Sequence, residues 1–123
     1  MIEKLQNHIA QNFPFLINKK LLIAVSGGLD SMVLLHLFNQ LKFKIAVAHC
    51  NFMLREDESF EDENFVKRES IKLKIKNYSK LFDTENYAKI NKLSTQVAAR
   101  DLRYKWFNEL LETENYDYIL TAH

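Results

Sequence analysis

The stretch that decides the fold is KLLIAVSGGLDSMVLLHLFNQL, residues 20–41. It begins with the apolar run 20–25, which is typical of a buried parallel strand. It ends with residues 31–41, whose apolar side chains surround most of a helix, as expected for a helix packed against a sheet. Between the two stand Gly27 and Gly28, the only glycines of the chain. The stretch therefore predicts a strand, a tight turn that uses glycine backbone, and a helix.

The rest of the chain continues this alternation. Three further strands are predicted, over residues 43–49, 75–82 and 116–123. Helices are predicted over residues 59–73, 84–90 and 94–112, with Thr84 capping the second and Ser94 or Thr95 capping the third. Such alternation predicts parallel strands joined by right-handed crossovers, a doubly wound α/β fold.

Length and composition limit the class of protein. A chain of 123 residues forms one domain, and 47% hydrophobic with 27% charged residues is typical of a globular protein. No apolar run approaches the roughly 20 residues that span a bilayer, and the N-terminus lacks a secretory signal. The single cysteine, Cys50, excludes an intrachain disulfide. These features predict a cytoplasmic protein without a membrane partner.

The net charge of +1 conceals an acidic segment, residues 55–65, followed by a basic one, residues 67–80. Acids early and bases late in one helix match the helix dipole. The alternative is a basic face for RNA phosphates, which a balanced total charge does not by itself favour.

Polar clusters follow three of the predicted strands: residues 26–31, 49–55 and 121–123. In a doubly wound sheet, ligands bind beyond the carboxyl ends of the strands. We therefore expect these three clusters to form one site.

The glycine turn has the features of an anion site. A strand that turns into a helix exposes unpaired backbone N–H groups at the helix N-terminus, and Gly27 and Gly28 allow an anion close to the backbone. The hydroxyls of Ser26 and Ser31 can donate to phosphate oxygens. Asp30 would repel an anion unless it binds the Mg²⁺ that accompanies phosphates. The alternative is a plain turn in which Asp30 or Ser31 caps the helix.

The turn SGGLDS, residues 26–31 including Leu29, resembles the SGGxDS loop of the N-type ATP pyrophosphatases, the PP-loop superfamily. Spacing excludes the two other common phosphate motifs, G-x-x-x-x-G-K-[ST] and G-x-G-x-x-G. The resemblance implies an adenine nucleotide alpha-hydrolase-like, Rossmann-like fold that binds ATP and Mg²⁺. Members of the superfamily cleave ATP between the α- and β-phosphates, transfer AMP to a substrate oxygen, and replace AMP with a nucleophile.

Three segments narrow the resemblance to the tRNA(Ile)-lysidine synthetases. AHCNFMLRED, residues 48–57, is similar to the family's H-x-N-H-x-L-R segment, although Phe52 stands where the family has a second histidine. AARDLRYKWF, residues 98–107, is similar to its A-R-x-x-R-Y-x-F-F helix, and TAH, residues 121–123, to the start of T-A-H-H-x-D-D-x-x-E-T. The matching polar positions are His49, Asn51, Arg55, Arg100, Arg103 and Tyr104.

The resemblance implies a reaction that attaches L-lysine to C2 of the wobble cytidine in tRNA(Ile) with a CAU anticodon. The cytidine O2 is first adenylated, and the lysine amine then displaces AMP. Asp30 would act with Arg100 and Arg103, two arginines at i and i+3 that can clamp phosphate or RNA beside the apolar face of their helix. Judged from residue type alone, Arg100 and Arg103 could instead be two surface arginines without a function.

His49 and Asn51 follow the second strand, where they can contact adenosine or the target base; a capping role is the alternative. Arg55 can hold an RNA phosphate, or it can pair with Glu58 or Glu61 on a solvated face. Cys50 has the character of a small buried hydrophobe.

The resemblance also implies that residues 1–123 are the N-terminal part of a PP-loop catalytic domain. The sheet would be truncated after its fourth strand, and the tRNA-binding domains would be absent. We therefore expect weak or no turnover from these residues alone, and an exposed sheet edge that is open to oligomer formation.

Other functions remain open. A tRNA thiolase of this superfamily would be expected to use a pair of cysteines, and amide-forming synthetases would not explain ARDLRY. A non-catalytic ATP-binding module has little need of a metal carboxylate at Asp30.

Overall fold

The computed structural model describes residues 2–55 and 57–122, without the side chain of Ile2. A helix, α1 (Ile2–Asn12), and a short 3₁₀ turn (Pro14–Leu16) precede the first strand. The elements that follow are β1 (Lys20–Ala24), α2 (Leu29–Gln40), β2 (Lys44–Asn51), α3 (Asp57–Leu73), β3 (Asn77–Leu81), α4 (Thr84–Ile90), α5 (Thr95–Thr113) and β4 (Tyr118–Leu120). The predicted order of strands and helices is confirmed; His123, at the end of the last predicted strand, lies outside the described residues.

The four strands form one parallel sheet in the order β3-β2-β1-β4. The chain moves outward from β1 through β2 to β3 and then returns to the other side of β1. The strand order therefore reverses at β1, which is where open α/β sheets bind their ligands. The loop after β1 lies at this reversal.

Helices cover both faces of the sheet, so the doubly wound α/β class is confirmed. Along β1, Leu21 and Ile23 face one apolar cluster, while Leu22 and Ala24 face the other. The first cluster contains buried residues of α1, α2 and α3, and the second contains buried residues of α5. Apolar runs that are buried on both sides, as in β1, are expected of central parallel strands.

The helix starts differ from the sequence prediction at one place. Ser94 caps α5 as predicted, since its side chain accepts from the Val97 N–H. The prediction that Thr84 caps α4 is wrong: Asp83 is the cap and accepts from the Asn86 N–H. The Thr84 hydroxyl is instead buried and donates to the Phe52 carbonyl oxygen at 2.8 Å, which ties the start of α4 to the turn after β2.

The acidic and basic segments form one helix, as the dipole interpretation predicts. The first turn of α3 carries Asp57 and Glu58, and the last turn carries Lys72. This distribution places negative charge at the positive end of the helix dipole and positive charge at the other. Among the residues that the structure describes, no helix is long and apolar enough to cross a membrane.

Candidate nucleotide site

The turn between β1 and α2 needs glycine at one position. Gly27 has φ +96°, a conformation that side-chain-bearing residues rarely adopt. A Cβ placed on Gly27 would also lie 3.3 Å from Asp62 Oδ1 on α3. Gly28 has φ −74°, so its backbone does not require glycine, and a Cβ there would approach only Ser26 Oγ, at 3.3 Å. Conformation therefore requires glycine at position 27, whereas position 28 can accept a Cβ if the Ser26 hydroxyl shifts slightly.

The N-terminus of α2 presents unpaired backbone donors. Gly28 is the N-cap, and no side chain caps the helix. The first hydrogen bond of the helix runs from the Met32 N–H to the Gly28 carbonyl oxygen at 3.1 Å, so the N–H groups of residues 29–31 precede it. Such groups, together with the helix dipole, attract an anion. The alternative in which Asp30 or Ser31 caps the helix is therefore wrong.

The two serines brace the turn from within. The Ser31 hydroxyl donates to the Gly28 carbonyl oxygen at 3.1 Å and accepts from the Ser26 N–H at 3.1 Å. Since its one proton is used, the 3.2 Å contact between the two hydroxyls is donated by Ser26. Ser26 Oγ in turn accepts from the Gly28 N–H at 3.2 Å. Ser31 is buried and Ser26 is exposed, and in this arrangement both hydroxyl protons are used within the turn.

Asp30 is exposed in the first turn of α2. No group of three or more His, Cys, Asp or Glu side chains suitable for a metal occurs among residues 2–55 and 57–122. Mg²⁺ does not require such a group, because it is commonly bound by one or two carboxylates together with substrate phosphates and water. Asp30 beside the anion-binding turn therefore fits a metal that arrives with its phosphates.

Asp62 is a second carboxylate at the turn, and sequence reasoning missed it. It lies on α3 against Gly27. In the sequence it is one of many acids in a charged helix, so nothing distinguished it from its solvated neighbours. Only the packing of α3 against the turn identifies it.

His49 and Asn51 are buried side chains on one face of β2, with 2% and 1% of their surface exposed. His49 Nδ1 lies 2.7 Å from the Val25 carbonyl oxygen, and Asn51 Oδ1 accepts from the Met53 N–H at 2.9 Å. Their other polar atoms, His49 Nε2 and Asn51 Nδ2, are buried without a partner in the described part of the chain. The capping alternative is thus seen for Asn51, whose side chain closes the turn after β2.

Two cavities flank the turn. One of about 260 Å³, here called the β2 cavity, lies between the end of β2 and the start of α3. It is lined by Ser26, His49, Cys50, Asn51, Phe52, Leu54, Arg55, Ser59 and Asp62. Arg55 is exposed at this cavity and forms an ion pair with Glu58, with 3.6 Å between Nη1 and Oε2. The solvated ion pair, one of the two sequence alternatives for Arg55, is therefore present.

The other cavity, about 150 Å³ and here called the α5 cavity, lies on the opposite face of the sheet. Its lining combines the turn (Ser26 and Ser31), the end of β2 (Cys50), α5 (Arg103) and Ala122 after β4. The ends of β1, β2 and β4 therefore meet, as predicted from the three polar clusters. The Arg103 guanidinium packs 5.3 Å from the centre of the Phe107 ring, which holds it beside this cavity.

Arg100 does not reach the α5 cavity. It is exposed and lines a separate surface depression with Val97, Asp101 and Tyr104. The i and i+3 spacing thus places the two arginines at different sites, because the helix buries Trp106 and Phe107 and turns only Arg103 toward the sheet.

A family model described as the PP-loop domain matches residues 1–123. The chain belongs to the PP-loop domain family. It is 47% identical over 108 residues to a tRNA(Ile)-lysidine synthase of Petrotoga mobilis, covering 85% of this chain and 34% of that protein. It is 38% identical over 121 residues to the protein of that name from Bacteroides thetaiotaomicron, covering 98% and 28%. The chain therefore spans about a third or less of the length of these relatives.

Most of the predicted site residues lie at the carboxyl end of the sheet, around residues 26–31. His49 contacts the residue before the turn through the Val25 carbonyl oxygen, and Arg103 lines a cavity with Ser26 and Ser31. Arg100 lies apart. Thr121 and Ala122 follow β4 at the same end of the sheet, whereas His123 lies outside the described residues.

Cys50 is not prepared for thiol chemistry. Burial raises the pKa of its thiol from 9.0 to about 12, and the nearby positive charge of Arg103 only partly opposes this. The folded protein therefore keeps the thiol proton to a higher pH than the unfolded chain does. The contribution of this group to the free energy of unfolding is fully present below pH 9.0 and is lost as the pH rises toward about 12.

We expect Cys50 in the folded protein to resist alkylation by iodoacetamide at about pH 8, because burial raises the pKa of its thiol and keeps it protonated. Mass spectrometry over time, with a urea-unfolded sample as the control, measures this. Equally fast labelling of folded and unfolded protein would contradict the assigned burial and would favour a reactive cysteine.

Proposed function

We propose that this chain binds ATP with Mg²⁺ at its PP-loop and provides the ATP-dependent half of a tRNA modification. AMP is transferred to the C2 oxygen of the wobble cytidine in tRNA(Ile) with a CAU anticodon, and L-lysine then displaces AMP to form lysidine. The observation that carries the proposal is the N-terminus of α2, with its unpaired N–H groups beside Gly27 at the reversal of the strand order. The names of the relatives support the tRNA and lysine half.

The backbone of the loop performs the first task, which is to bind the β- and γ-phosphates. The N–H groups of residues 29–31 precede the first hydrogen bond of the helix, where phosphate oxygens can accept from them. Donors fixed in this way stabilise the charge that develops on the departing pyrophosphate without having to reorganise during the reaction. The internal hydrogen bonds of Ser31 hold them in place.

Asp30 would hold Mg²⁺ against the phosphates. Mg²⁺, when bound, neutralises negative charge on the triphosphate and so makes pyrophosphate a better leaving group. Without the metal, the Asp30 carboxylate opposes the binding of a polyanion at the start of α2. Because the Asp30 carboxylate lies beside the phosphate site, we expect the binding of ATP to depend on Mg²⁺.

Arg103 is the cation that approaches the loop from the opposite face of the sheet. Its guanidinium can contact the phosphate that stays with adenosine, where charge changes during AMP transfer. Arg100, exposed on α5, is assigned to RNA phosphate, as is Arg55. Asn51 lines the β2 cavity, which is assigned to the nucleoside part of the site. The proposal places the protein in the cytoplasm.

We expect Arg103→Ala to weaken ATP binding about tenfold or more, because it removes a charge-assisted contact to phosphate. Arg100→Ala is expected to weaken tRNA binding and to leave the ATP dissociation constant within about twofold, because rim phosphate contacts act additively and separately. Calorimetry with ATP and filter binding with tRNA measure the two effects. An equal loss of ATP affinity in both variants would contradict the separate placement of the two arginines.

Competition binding tests the ATP assignment. A fluorescent ATP analogue is bound in the presence of Mg²⁺ and then displaced with pyrophosphate or with AMP. A pyrophosphate loop predicts that pyrophosphate displaces the analogue effectively. Displacement by AMP but not by pyrophosphate would contradict the proposal and would favour a nucleotide-sensing module.

A further inference from the structure

The peptide unit that leads into the PP-loop joins Val25 to Ser26, and it is held on both sides. Its carbonyl oxygen, that of Val25, lies 2.7 Å from His49 Nδ1. Its N–H, that of Ser26, donates to Ser31 Oγ at 3.1 Å. The N–H of Val25 is also bonded, since it donates to the Ala48 carbonyl oxygen at 3.0 Å. The direction in which the chain enters the loop is therefore set by one side chain from β2 and one from α2.

The His49 contact defines the state of the ring. A carbonyl oxygen can only accept, so Nδ1 must carry the hydrogen that is donated to Val25. In the neutral ring Nε2 is then an acceptor, and it is buried without a partner in the described residues. The same ring lines the β2 cavity, so it can act on bound nucleotide in two ways, through Nδ1 and the loop or through Nε2.

We propose that His49 is a positioning residue that acts on ATP through its Nδ1 hydrogen bond to Val25, and not through contact with the nucleotide. The proposal rests on the assignment of the PP-loop as the ATP site. Only two residues separate the held peptide from the start of α2, and one of them is Gly27, whose φ of +96° leaves the turn few alternatives once its entry is fixed. A rotation of the held peptide would therefore displace the N–H groups that receive phosphate.

The bond from Nδ1 to Val25 exists without ligand, whereas Nε2 has no partner among the described residues. Loss of the Nδ1 donor leaves a buried carbonyl oxygen unpaired, and the chain can relieve that cost by rotating the peptide. Asn51, two residues along the same strand, performs a comparable task for the turn after β2 through Met53. β2 thus supplies one polar side chain, His49, to the turn after β1 and another, Asn51, to its own following turn.

Two substitutions separate the ring nitrogens. In His49→Asn the amide nitrogen takes the place of Nδ1, whereas in His49→Gln it takes the place of Nε2. Both variants lose ring volume from a buried position, so both are expected to lower the Tm. The proposal predicts that H49N binds ATP with Mg²⁺ within about threefold of the wild type, while H49Q binds it roughly tenfold to a hundredfold more weakly. Calorimetry at a temperature where both variants are folded measures this.

Ile9→Ala is the control for a purely structural effect. Ile9 is buried on α1 in the same apolar cluster as Val25, and it lines a cavity beside the residues that precede β1 and β2, at the end of these strands opposite to the PP-loop. We expect I9A to lower the Tm and to leave the ATP dissociation constant unchanged, which separates loss of stability from loss of loop position. Equal weakening of ATP binding in H49N and H49Q would overturn the proposal and assign His49 to ligand contact.

The state of the ring gives a readout that does not depend on ATP. Nitrogen-15 NMR of the wild-type ring is expected to show a protonated Nδ1 and an unprotonated Nε2. A protonated Nε2 with a bare Nδ1 would overturn the inference by itself. If the wild type failed to bind ATP while showing the Nδ1–H form, the assignment of the PP-loop as an ATP site would fail, and the bond from His49 to Val25 would stand.

Discussion

Replacing Gly27 with alanine is expected to lower the free energy of unfolding by about 1–3 kcal/mol and to weaken ATP binding at least about a hundredfold. The φ of +96° is unfavourable for alanine, and the new Cβ would lie 3.3 Å from Asp62 Oδ1 and 3.4 Å from Asp62 Cβ. A small shift of the Asp62 side chain can relieve the crowding, but the unfavourable φ can be relieved only by moving the turn, which displaces the N–H groups at the start of α2. Urea unfolding and calorimetry with ATP measure the two effects.

Gly28→Ala is the matched control for stability. Its φ of −74° suits alanine, and its Cβ would approach only Ser26 Oγ. The free energy of unfolding should therefore stay within about 1 kcal/mol of the wild-type value. Adding Asp62→Ala to Gly27→Ala should recover the part of the loss caused by crowding and leave the part caused by φ. A Gly27→Ala protein with wild-type stability and ATP affinity would contradict the assigned loop conformation.

Replacing Asp30 with asparagine is expected to remove the dependence of ATP binding on Mg²⁺. In the wild type, the carboxylate opposes the triphosphate until the metal lies between them, so chelation of Mg²⁺ should weaken binding strongly. Asparagine neither repels the phosphates nor binds the metal well, so Asp30→Asn should bind ATP about equally weakly with and without Mg²⁺. Dissociation constants with Mg²⁺ and with EDTA measure this.

Glu85→Gln is the control for the charge at a helix N-terminus. Glu85 is exposed in the first turn of α4, as Asp30 is in the first turn of α2. Both substitutions remove a favourable helix-dipole interaction of about 0.3–1 kcal/mol, but only Asp30 adjoins the PP-loop. Glu85→Gln should therefore keep the Mg²⁺ dependence. If Asp30→Asn kept it too, Asp30 would not be the metal ligand.

The strands, the helices and the loop could be predicted from the sequence because their signals are local. An apolar run, two glycines and an apolar helix occupy consecutive residues, 20–41, so their pattern needs no knowledge of distant contacts. The convergence of the strand ends followed from a general property of parallel sheets. The family resemblance added ATP chemistry, and the match over residues 1–123 confirms the family.

Features that depend on distant packing could not be predicted. Thr84 has the character of a helix cap, but its hydroxyl is used by the Phe52 carbonyl, which lies on another turn. Asp62 is important because α3 packs against Gly27, and its sequence context shows only a charged helix. The spacing of Arg100 and Arg103 indicated a shared face, whereas the packing of α5 on the sheet separates their surroundings.

A chimeric enzyme tests the proposed function most directly. The 108 residues of the Petrotoga mobilis tRNA(Ile)-lysidine synthase that match this chain would be replaced by their counterparts here, and the Tm would confirm folding. The measurement is incorporation of radiolabelled lysine into tRNA(Ile) with a CAU anticodon, beside the same tRNA carrying a wobble uridine. We predict ATP-dependent incorporation into the cytidine tRNA alone, and none in the Asp30→Asn chimera. A folded chimera that binds ATP but transfers no lysine would contradict the account.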